Sequence, residues 1–384
     1  MRLKEKASEI KGNVGYLCHP ASINEHYQHG IDIVQNIFGN RLKKLFSPQH
    51  GIFADVQDNM IESDHFVHSH YGLPVFSLYS DSRKPSPEMM KDLDHVIIDL
   101  QDVGTRVYTY IYTMTYMMEA CAESDVEVII LDRPNPIGGE VIEGNILNKE
   151  YRSFVGRHEL PMRHGMTIGE VALLANKHWG IDCELKVIEM KNWQRPMTFW
   201  STNLPWVLPS PNLANIETAF TFVGTVLFEG TNISEGRGTT KSLEMIGHPK
   251  INQHELLETL NGIFQKGRME GFQLRPVSFI PTFQKHVGIL CHGFQIHVKD
   301  FNSFRPWILG QVLCQTLYHR LEDEFLWKQP PYEYEEDLLP IDILNGTDQV
   351  RRWIEQKGDL VELRRLEQNG LSDFLEKRKE IILY

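Results

Sequence analysis

Two polar loops in the first third of this sequence bring together residue types that could carry acid–base chemistry. Residues 47–51 read SPQHG, and acidic side chains follow them, among which are Asp58 and Glu62. Residues 99–106 read DLQDVGTR, so two carboxylates and the Arg106 guanidinium stand where a helix-like stretch begins. Carboxyl and imidazole groups transfer protons, and arginine pairs with carboxylates. The structural alternatives are a solvated loop for the first segment and a helix cap with an ion pair for the second.

Two further loops have the composition of sites for a polar ligand. Residues 132–139 read DRPNPIGG, in which two prolines make the backbone rigid while Arg133 and Asn135 offer directed hydrogen bonds. A structural turn is an equal alternative for this segment. Residues 228–240 read FEGTNISEGRGTT and combine three glycines with two carboxylates, an arginine and several hydroxyls. The glycines do not follow a phosphate-binding order, so this loop suits sugar hydroxyls and a carboxylate better than a nucleotide.

The acidic residues of these loops could supply the chemistry of glycoside hydrolysis, which takes one carboxyl group as proton donor and a second as base or nucleophile. The candidates for such a pair are Glu62, Asp102, Glu229 and Glu235. Tyrosines follow Arg106 at mixed spacing and cannot all belong to the core, so rings such as that of Tyr110 are candidates to stack on a pyranose. The sequence contains neither the HExxH spacing of a zinc hydrolase nor the GxSxG turn of a serine hydrolase.

Short apolar runs position these loops. In the first third of the chain they alternate with longer amphipathic segments, which is the pattern of βαβ units around a parallel sheet. The predicted strands are residues 14–17, 42–46, 75–78, 95–100 and 127–131, with ELKVIEM as a sixth, and the predicted helices are 87–93, 108–124 and 166–179. Ligands of open α/β sheets bind beyond the carboxyl ends of the strands. We therefore expect the polar loops to converge on one crevice.

The pattern changes after a segment rich in Trp, Pro and Asn at residues 193–215. Beyond it, strand-like runs (FTFVGTVLF and VGILCHGFQIHV) mix with helix-like ones (QHELLETLNGIF and PWILGQVLCQTLYHRL), which predicts an α+β domain. We place the boundary near Met197. The expected organisation is a Rossmann-like α/β domain over residues 1–197 and a smaller α+β domain over residues 198–384, with the active-site cleft between them.

The overall composition excludes several classes of protein. A formal net charge of −12 argues against a surface that binds nucleic-acid phosphates, and no run of eighteen apolar residues could span a bilayer. The five cysteines are odd in number and far apart, so we expect buried free thiols rather than disulfides or a zinc site. The charged start lacks the apolar core of a secretory signal, which favours the cytoplasm, or the periplasm or exterior if a signal has been removed.

Eight stretches of the chain together resemble one family, the exo-acting β-N-acetylmuramidases, long catalogued as a domain of unknown function. They are FSPQHG, GLPVFSLY with RKPSPEM, IDLQDVGTRVYTYIYTM, LDRPNPIGG with EG, FVGRHELPMRHGMTIGE, LPSPN, FEGTNISEGRGTT and YEYEEDLLPIDILNG. They extend over nearly the whole chain in the family's order. By this resemblance the chain is identified as a member of a family of peptidoglycan hydrolases.

The resemblance implies a Rossmann-like domain joined to a smaller C-terminal domain, with the active site in the cleft between them. It also implies release of terminal N-acetylmuramic acid from the non-reducing end of peptidoglycan fragments, as in cell wall recycling. No nucleotide or metal cofactor is implied. The expected partner is a muropeptide or a related amino-sugar glycan, and the oligomeric state is left open.

One position departs from the family. The family motif usually reads PEHG, and the resemblance implies that its glutamate is the catalytic acid. This chain has Gln49 at that position, and glutamine has no proton to donate at neutral pH. We therefore expect Glu62 to act as the acid, with Gln49 and His50 positioning the leaving group or the N-acetyl carbonyl. The alternatives are that another carboxylate takes over the role, or that the chain binds glycans without cleaving them.

The remaining site residues are predicted contacts to the substrate. Arg106, Arg133 and Arg237 are candidates for binding the lactyl carboxylate, because arginine matches a carboxylate bidentately. The candidates for contacts to the sugar ring and its hydroxyls are Asp102, Tyr110, Asn135, His164, Asn212, Asn232 and Glu235. A nucleotide-dependent enzyme is disfavoured, because CHPAS rather than a glycine fingerprint follows the first predicted strand.

Overall fold

The computed structural model describes residues 2–57, 61–80 and 82–384, so Asp58 lies outside the described residues. Within them, the first half of the chain forms a seven-stranded sheet in the order β3-β4-β2-β1-β5-β6-β7. Its strands are β1 Val14–Cys18, β2 Leu42–Ser47, β3 Phe66–Val67, β4 Pro74–Ser77, β5 His95–Asp99, β6 Glu127–Leu131 and β7 Leu185–Ile188. Every neighbouring pair is parallel except β3 with β4. The predicted parallel α/β sheet is confirmed.

The central strands are apolar over most of their length, as expected where both faces of a sheet are covered. Alternate residues enter two separate cores: Ile97 and Ile129 pack on one face, while Val96 and Ile98 pack on the other. The six predicted strands all form. The unpredicted β3 is a two-residue, exposed edge strand, too short to show an apolar pattern.

Helices cover this sheet, and their bounds are α1 Leu3–Lys6, α2 Gly30–Phe38, α3 Pro87–Met90, α4 Tyr110–Ser124 and α5 Ile168–His178. The start of α5 is fixed by a capping box. The Thr167 side chain accepts a hydrogen bond from the Glu170 amide, and the Glu170 side chain accepts one from the Thr167 amide. The three predicted helices are confirmed, although α3 ends three residues earlier than expected and α4 and α5 each start two residues later.

The second half of the chain forms a three-stranded antiparallel sheet in the order β8-β10-β9, surrounded by helices. The strands are β8 Met245–His248, β9 Phe272–Phe279 and β10 Cys291–Val298. The helices are α6 Ile216–Thr225, α7 Gln253–Gly267, α8 Pro306–Leu321, α9 Pro340–Asn345, α10 Gln349–Glu355, α11 Leu360–Gln368 and α12 Leu371–Lys379. An α+β second domain is thereby confirmed, while the boundary near residue 197 stays a prediction.

The prediction of a strand at FTFVGTVLF was wrong, because this run lies in α6 and the 3-10 turn after it. The Asn215 side chain caps α6 by accepting the Thr218 amide. Helix α6 is buried against α8 at a close approach of two glycines: a methyl group added to Gly224 would lie 2.0 Å from the Pro306 carbonyl oxygen. A helix buried over nearly its whole surface lacks a wide polar face, so its sequence resembles a core strand.

The end of the chain returns to the first sheet. The Tyr384 hydroxyl donates a hydrogen bond of 2.8 Å to Asp132, which follows β6, and the Leu383 amide donates one of 2.9 Å to Glu170. The five cysteines are buried and free, as predicted. In the described part of the chain, no helix is both long and apolar enough to cross a bilayer.

Candidate active site

A small polar pocket lies where loops from both halves of the chain meet. Gln49 and His50, which follow β2, and Tyr110 at the start of α4 form one side. Glu229 and Glu333 from the second half form the other. The cavity measures about 50 Å³, which is room for a few water molecules but not for a pyranose. A sugar therefore requires the lining of the pocket to open.

The Gln49 side chain is held in a fixed orientation. The Thr109 hydroxyl donates a hydrogen bond of 2.8 Å to Gln49 Oε1, so the amide nitrogen is directed elsewhere, and it donates toward Glu333. The neighbouring His50 adopts a left-handed backbone conformation with φ of 72°. Its Nδ1 lies 2.7 Å from the Val56 carbonyl oxygen. The structure thus brings Gln49 and His50 into the pocket, as the sequence predicted.

Glu333 is the carboxyl group that faces Gln49, and only 3% of the residue is exposed. The Tyr79 hydroxyl donates a hydrogen bond of 2.9 Å to its Oε2. Burial raises the pKa of Glu333 to about 7; the Tyr79 hydrogen bond opposes the rise and the nearby Glu229 charge adds to it. Glu333 is therefore partly protonated at neutral pH, as a proton donor must be.

Glu229 is the second carboxyl group in the pocket, and its surroundings act in the opposite direction. Arg237 Nη2 lies 2.5 Å from Glu229 Oε1, and the Tyr332 hydroxyl donates a hydrogen bond of 2.7 Å to Oε2. Burial by itself raises the pKa of Glu229, but the Arg237 charge and these two hydrogen bonds outweigh it, so the pKa lies below its usual value. Glu229 is ionised at neutral pH.

Behind Glu229, Arg237 and Lys285 together neutralise the two carboxylates of the 228–240 loop. Arg237 Nε lies 3.1 Å from Glu235, and Lys285 Nζ lies 2.8 Å from the same carboxylate. Lys285 also donates to the carbonyls of Phe228 and Ile233, which uses its three protons. Glu235 and Arg237 are thus brought to the site, but as partners of protein groups.

Glu62 lies at the rim of this site rather than inside it. Its side chain is 46% exposed, and it accepts a hydrogen bond of 3.2 Å from the Tyr334 hydroxyl. Its Oε1 is also 3.8 Å from Arg83 Nη2, too far for a hydrogen bond. This location gives Glu62 no buried contact with Gln49 or Glu229.

Arg106 cannot bind a lactyl carboxylate, because it is fully buried in the protein interior. Its two terminal nitrogens donate hydrogen bonds of 2.7–3.1 Å to four backbone carbonyls, those of Asn145, Leu160, Leu344 and Asn345. Burial lowers the pKa of Arg106 to about 10, which still leaves it charged at neutral pH. The residue joins the two halves of the chain, and its expected role as a ligand contact is corrected to a structural one.

The loop 132–139 is also structural, and its polar side chains bind protein groups. Arg133 Nε lies 2.6 Å from Asp99, and its Nη2 donates to the Ile23 carbonyl. The Asn135 side chain accepts the Ile137 amide, which closes a turn, and donates to the Met166 carbonyl, which ties the loop to the start of the segment before α5. Neither residue lines the pocket that holds Glu333.

The other predicted contacts divide into near and distant residues. Tyr110 and Asn212 line the pocket, where the Tyr110 hydroxyl donates to the Pro209 carbonyl at 2.7 Å. Asn232 points away from it, because its side chain pairs with the backbone of Glu324 and Leu326.

His164 and Asp102 form a buried contact outside the pocket. His164 Nε2 lies 3.3 Å from Asp102 Oδ2, without the alignment of a hydrogen bond, and that oxygen accepts the Gly104 amide at 2.7 Å.

Sequence reasoning missed Glu333, Tyr79 and Arg83. The stretch around Glu333 reads YEYEED, which is typical of a solvated acidic turn, and only its place among the family motifs marked it. Tyr79 contacts Glu333, and Arg83 lies near Glu62. These pairs come together only in the folded chain.

A larger cavity of about 570 Å³ lies elsewhere, beyond the carboxyl ends of β6 and β7. Its buried charges are already paired: Arg133 with Asp99, and Asp132 with Thr167 and Tyr384. We therefore assign the chemistry to the smaller pocket, where two carboxyl groups have opposite pKa shifts. Among the described residues, no cluster of His, Cys, Asp and Glu has the arrangement of a metal site.

Comparison with known proteins places this geometry in context. The family model described as exo-beta-N-acetylmuramidase NamZ, N-terminal, matches residues 14–217, and its C-terminal counterpart matches residues 220–384. The peptidoglycan beta-N-acetylmuramidase NamZ of Bacillus subtilis is 42% identical over 383 residues, covering 100% of this chain and 89% of that protein. Two crystal structures of DUF1343 family proteins from Bacteroides fragilis are also similar, each over 100% of this chain and 97% of theirs. Their TM-scores are 0.87 and 0.75, at 31% and 29% identity.

Proposed function

The chain belongs to the exo-β-N-acetylmuramidase family, and from this premise we propose that it is a glycoside hydrolase that releases terminal N-acetylmuramic acid from the non-reducing end of peptidoglycan fragments. The relative in Bacillus subtilis carries the corresponding name at 42% identity over the whole chain. The expectation of a role in the cytoplasm stays a prediction.

The observation that carries a catalytic role is the pair Glu333 and Glu229. Glycosidases need one carboxyl group that is protonated and one that is ionised at the same pH, which enzymes achieve by giving the two groups different surroundings. Here burial raises the pKa of Glu333 to about 7, while Arg237 and Tyr332 keep the pKa of Glu229 below its usual value. We assign the proton-donor role to Glu333 and the role of the ionised carboxylate to Glu229.

The Gln49 amide supports this assignment. Family members usually have a glutamate at this position, and Gln49 has no proton to give. The amide instead donates toward Glu333, with its orientation fixed by Thr109. The proton donor is then Glu333, a carboxyl group in the same pocket, instead of residue 49. Gln49 orients the Glu333 carboxyl group.

Glu62, the acid expected from the sequence, fits this role less well. It is about half exposed, whereas a general acid active near neutral pH gains its raised pKa from burial. Glu333 has that burial and contacts Gln49 directly. We therefore propose Glu333 in its place.

The reaction then follows from these positions. Glu333 gives its proton to the glycosidic oxygen as the bond to the anomeric carbon breaks, and the Glu229 carboxylate stabilises the positive charge that develops on the sugar. Water supplies a hydroxyl to the anomeric carbon, and the proton that it loses restores Glu333. Access requires the lining of the pocket to open, because the cavity of about 50 Å³ is too small for a pyranose.

The test is hydrolysis of para-nitrophenyl β-N-acetylmuramide by the purified chain, beside the N-acetylglucosamine analogue. We expect release of para-nitrophenol from the muramide. A double variant, Glu229→Gln with Glu333→Gln, controls for a contaminating hydrolase and is expected to be inactive. If the folded wild-type chain binds N-acetylmuramic acid but releases nothing, it is a glycan-binding protein and the proposal is wrong.

A further inference from the structure

Arg83 is the cation whose side chain is enclosed by aromatic rings beside the pocket. Its guanidinium carbon lies 4.2 Å from the centre of the Tyr79 ring and 4.1 Å from that of Tyr334, with Phe154 at 5.6 Å. Such stacking fixes the plane of the guanidinium and leaves its edges to make hydrogen bonds. The direction in which Arg83 can bind a ligand is thereby defined.

One edge of this guanidinium has no hydrogen-bond partner. Arg83 Nη1 donates to the Ser80 carbonyl, whereas Nε and Nη2 are buried and bond to no group in the described part of the chain. The Nε and Nη2 protons point in parallel, which is the arrangement that accommodates both oxygens of a carboxylate. Buried donors without acceptors are unfavourable, so this edge is suited to an incoming acceptor.

Glu62 stands opposite this edge at a distance that is too long for a hydrogen bond. Its Oε1 is 3.8 Å from Arg83 Nη2 and accepts a hydrogen bond of 3.2 Å from the Tyr334 hydroxyl. The Glu62 side chain is half exposed, so its displacement into water costs little. A carboxylate of the protein thus occupies, loosely, the place where an external carboxylate would bind.

Two other cations near this site, Arg237 and Lys285, are engaged by protein groups. Arg237 pairs with Glu229 and Glu235, and Lys285 uses its protons on Glu235 and two carbonyls. Arg83 also lies close to the reacting centre, because the ring of Tyr79 on which it stacks carries the hydroxyl that binds Glu333. One tyrosine side chain therefore separates the candidate acid from the candidate carboxylate receptor.

We propose that the Nε and Nη2 edge of Arg83 binds the lactyl carboxylate of the terminal N-acetylmuramic acid, and that Glu62 holds this place until the substrate displaces it. The inference rests on the proposed function and specifies how the site selects its sugar. N-Acetylglucosamine lacks the lactyl group, so it gains nothing from Arg83. Glu62 is then a place-holder for the substrate carboxylate rather than a proton donor.

The experiment compares binding of N-acetylmuramic acid with that of its neutral methyl ester by calorimetry. For the wild-type chain we expect the acid to bind about 10- to 100-fold more tightly than the ester, the difference that charge-assisted hydrogen bonds make. Arg83→Met should bind the two equally, and Arg83→Lys should recover only part of the preference because lysine lacks the parallel donors. Lys84→Met is the matched control: Lys84 is the next cation in the chain, pairs with Glu123 at the surface, and should leave the preference unchanged.

Two results would overturn the inference. One is an Arg83→Met variant that keeps the wild-type preference for the acid. The other is a Glu62→Gln variant that loses kcat on the muramide without a fall in KM, because removal of a place-holder lowers KM. Failure of the proposed function is a separate result, since a wild-type chain without hydrolysis still shows, by its acid and ester affinities, whether Arg83 binds the carboxylate.

Discussion

The Tyr79 hydroxyl donates a 2.9 Å hydrogen bond to the Glu333 carboxyl group across 254 residues of chain. Tyr79 stands just beyond β4 of the parallel sheet, and Glu333 lies in a turn near the C-terminal helices. The candidate acid is therefore buried by residues of the first half while being carried by the second. Its raised pKa is a property of the assembled molecule, since separating the two parts would return Glu333 to water.

The leaving group determines how much Glu333→Gln reduces the rate. On a muramic acid–glucosamine disaccharide, whose sugar leaving group needs a proton, we expect kcat to fall by about 10²- to 10⁴-fold. On a dinitrophenyl muramide, whose phenolate leaves without protonation, the loss should be far smaller. Glu336→Gln, an exposed neighbour in the same turn, is the matched control. Equal losses on both substrates would remove the acid role from Glu333.

The pH profile should show a basic limb near pH 7. Activity needs Glu333 protonated, and its pKa is about 7, so kcat/KM should fall as the pH rises through that value. An acidic limb is expected below the ordinary glutamate range, because Glu229 must stay ionised and its pKa is lowered. Rates measured from pH 3 to 9 test both limbs; a rate that keeps rising above pH 8 would contradict the assignment.

Stability should change with pH for the same reason. The folded chain holds a proton on Glu333 up to about pH 7, while the unfolded chain loses it near the ordinary pKa of 4.5. Between these values the folded state binds more protons, so the contribution of Glu333 to the free energy of unfolding decreases as the pH rises. Glu333→Gln should therefore raise the melting temperature more at pH 8 than at pH 5. The opposite order would mean that burial does not raise this pKa.

Gln49→Glu restores the residue usual in the family and places a third carboxyl group in the pocket. It replaces the amide that donates toward Glu333 with a group that carries negative charge when ionised. Carboxyl groups this close share a proton, so the pair should titrate together and the basic limb should move above pH 7. Gln49→Ala is the control that removes the amide without adding charge. An unchanged basic limb in Gln49→Glu would show that residue 49 does not act on the acid.

The parts of the fold that could be predicted are those with local causes. Val96 and Ile97 belong to an apolar run of strand length, and Thr167 with Glu170 forms a capping box, so strand and helix can be read from neighbouring residues. The run containing Gly224 has the pattern of a strand although it is helical, because its burial depends on α8, about eighty residues later. Periodicity does not separate a fully buried helix from a core strand.

The site was harder to predict than the fold because its residues act through distant partners. Gln49 and His50 were recognisable from their motif, yet the carboxyl group that Gln49 contacts is Glu333, far along the chain. Arg83 stands in another motif, but nothing local indicates that two of its nitrogens are buried without acceptors. Residue type alone suggests that a charged side chain binds the ligand, whereas the structure shows which charged side chains the protein already pairs.

Arg106 gives the clearest test of whether a charged side chain binds the ligand or is already paired within the protein. Its guanidinium binds four carbonyls, two of them in the segment 344–345, so Arg106→Met would leave buried acceptors without donors. We expect the free energy of unfolding to fall by at least about 3 kcal/mol, measured by urea denaturation. Arg152→Met, which removes a surface ion pair with Glu159, should cost at most about 1 kcal/mol. A stable Arg106→Met variant with a raised KM for the muramide would instead indicate that Arg106 contacts the substrate. Replacing a purely structural residue lowers the stability of the protein first and weakens ligand binding only as a consequence.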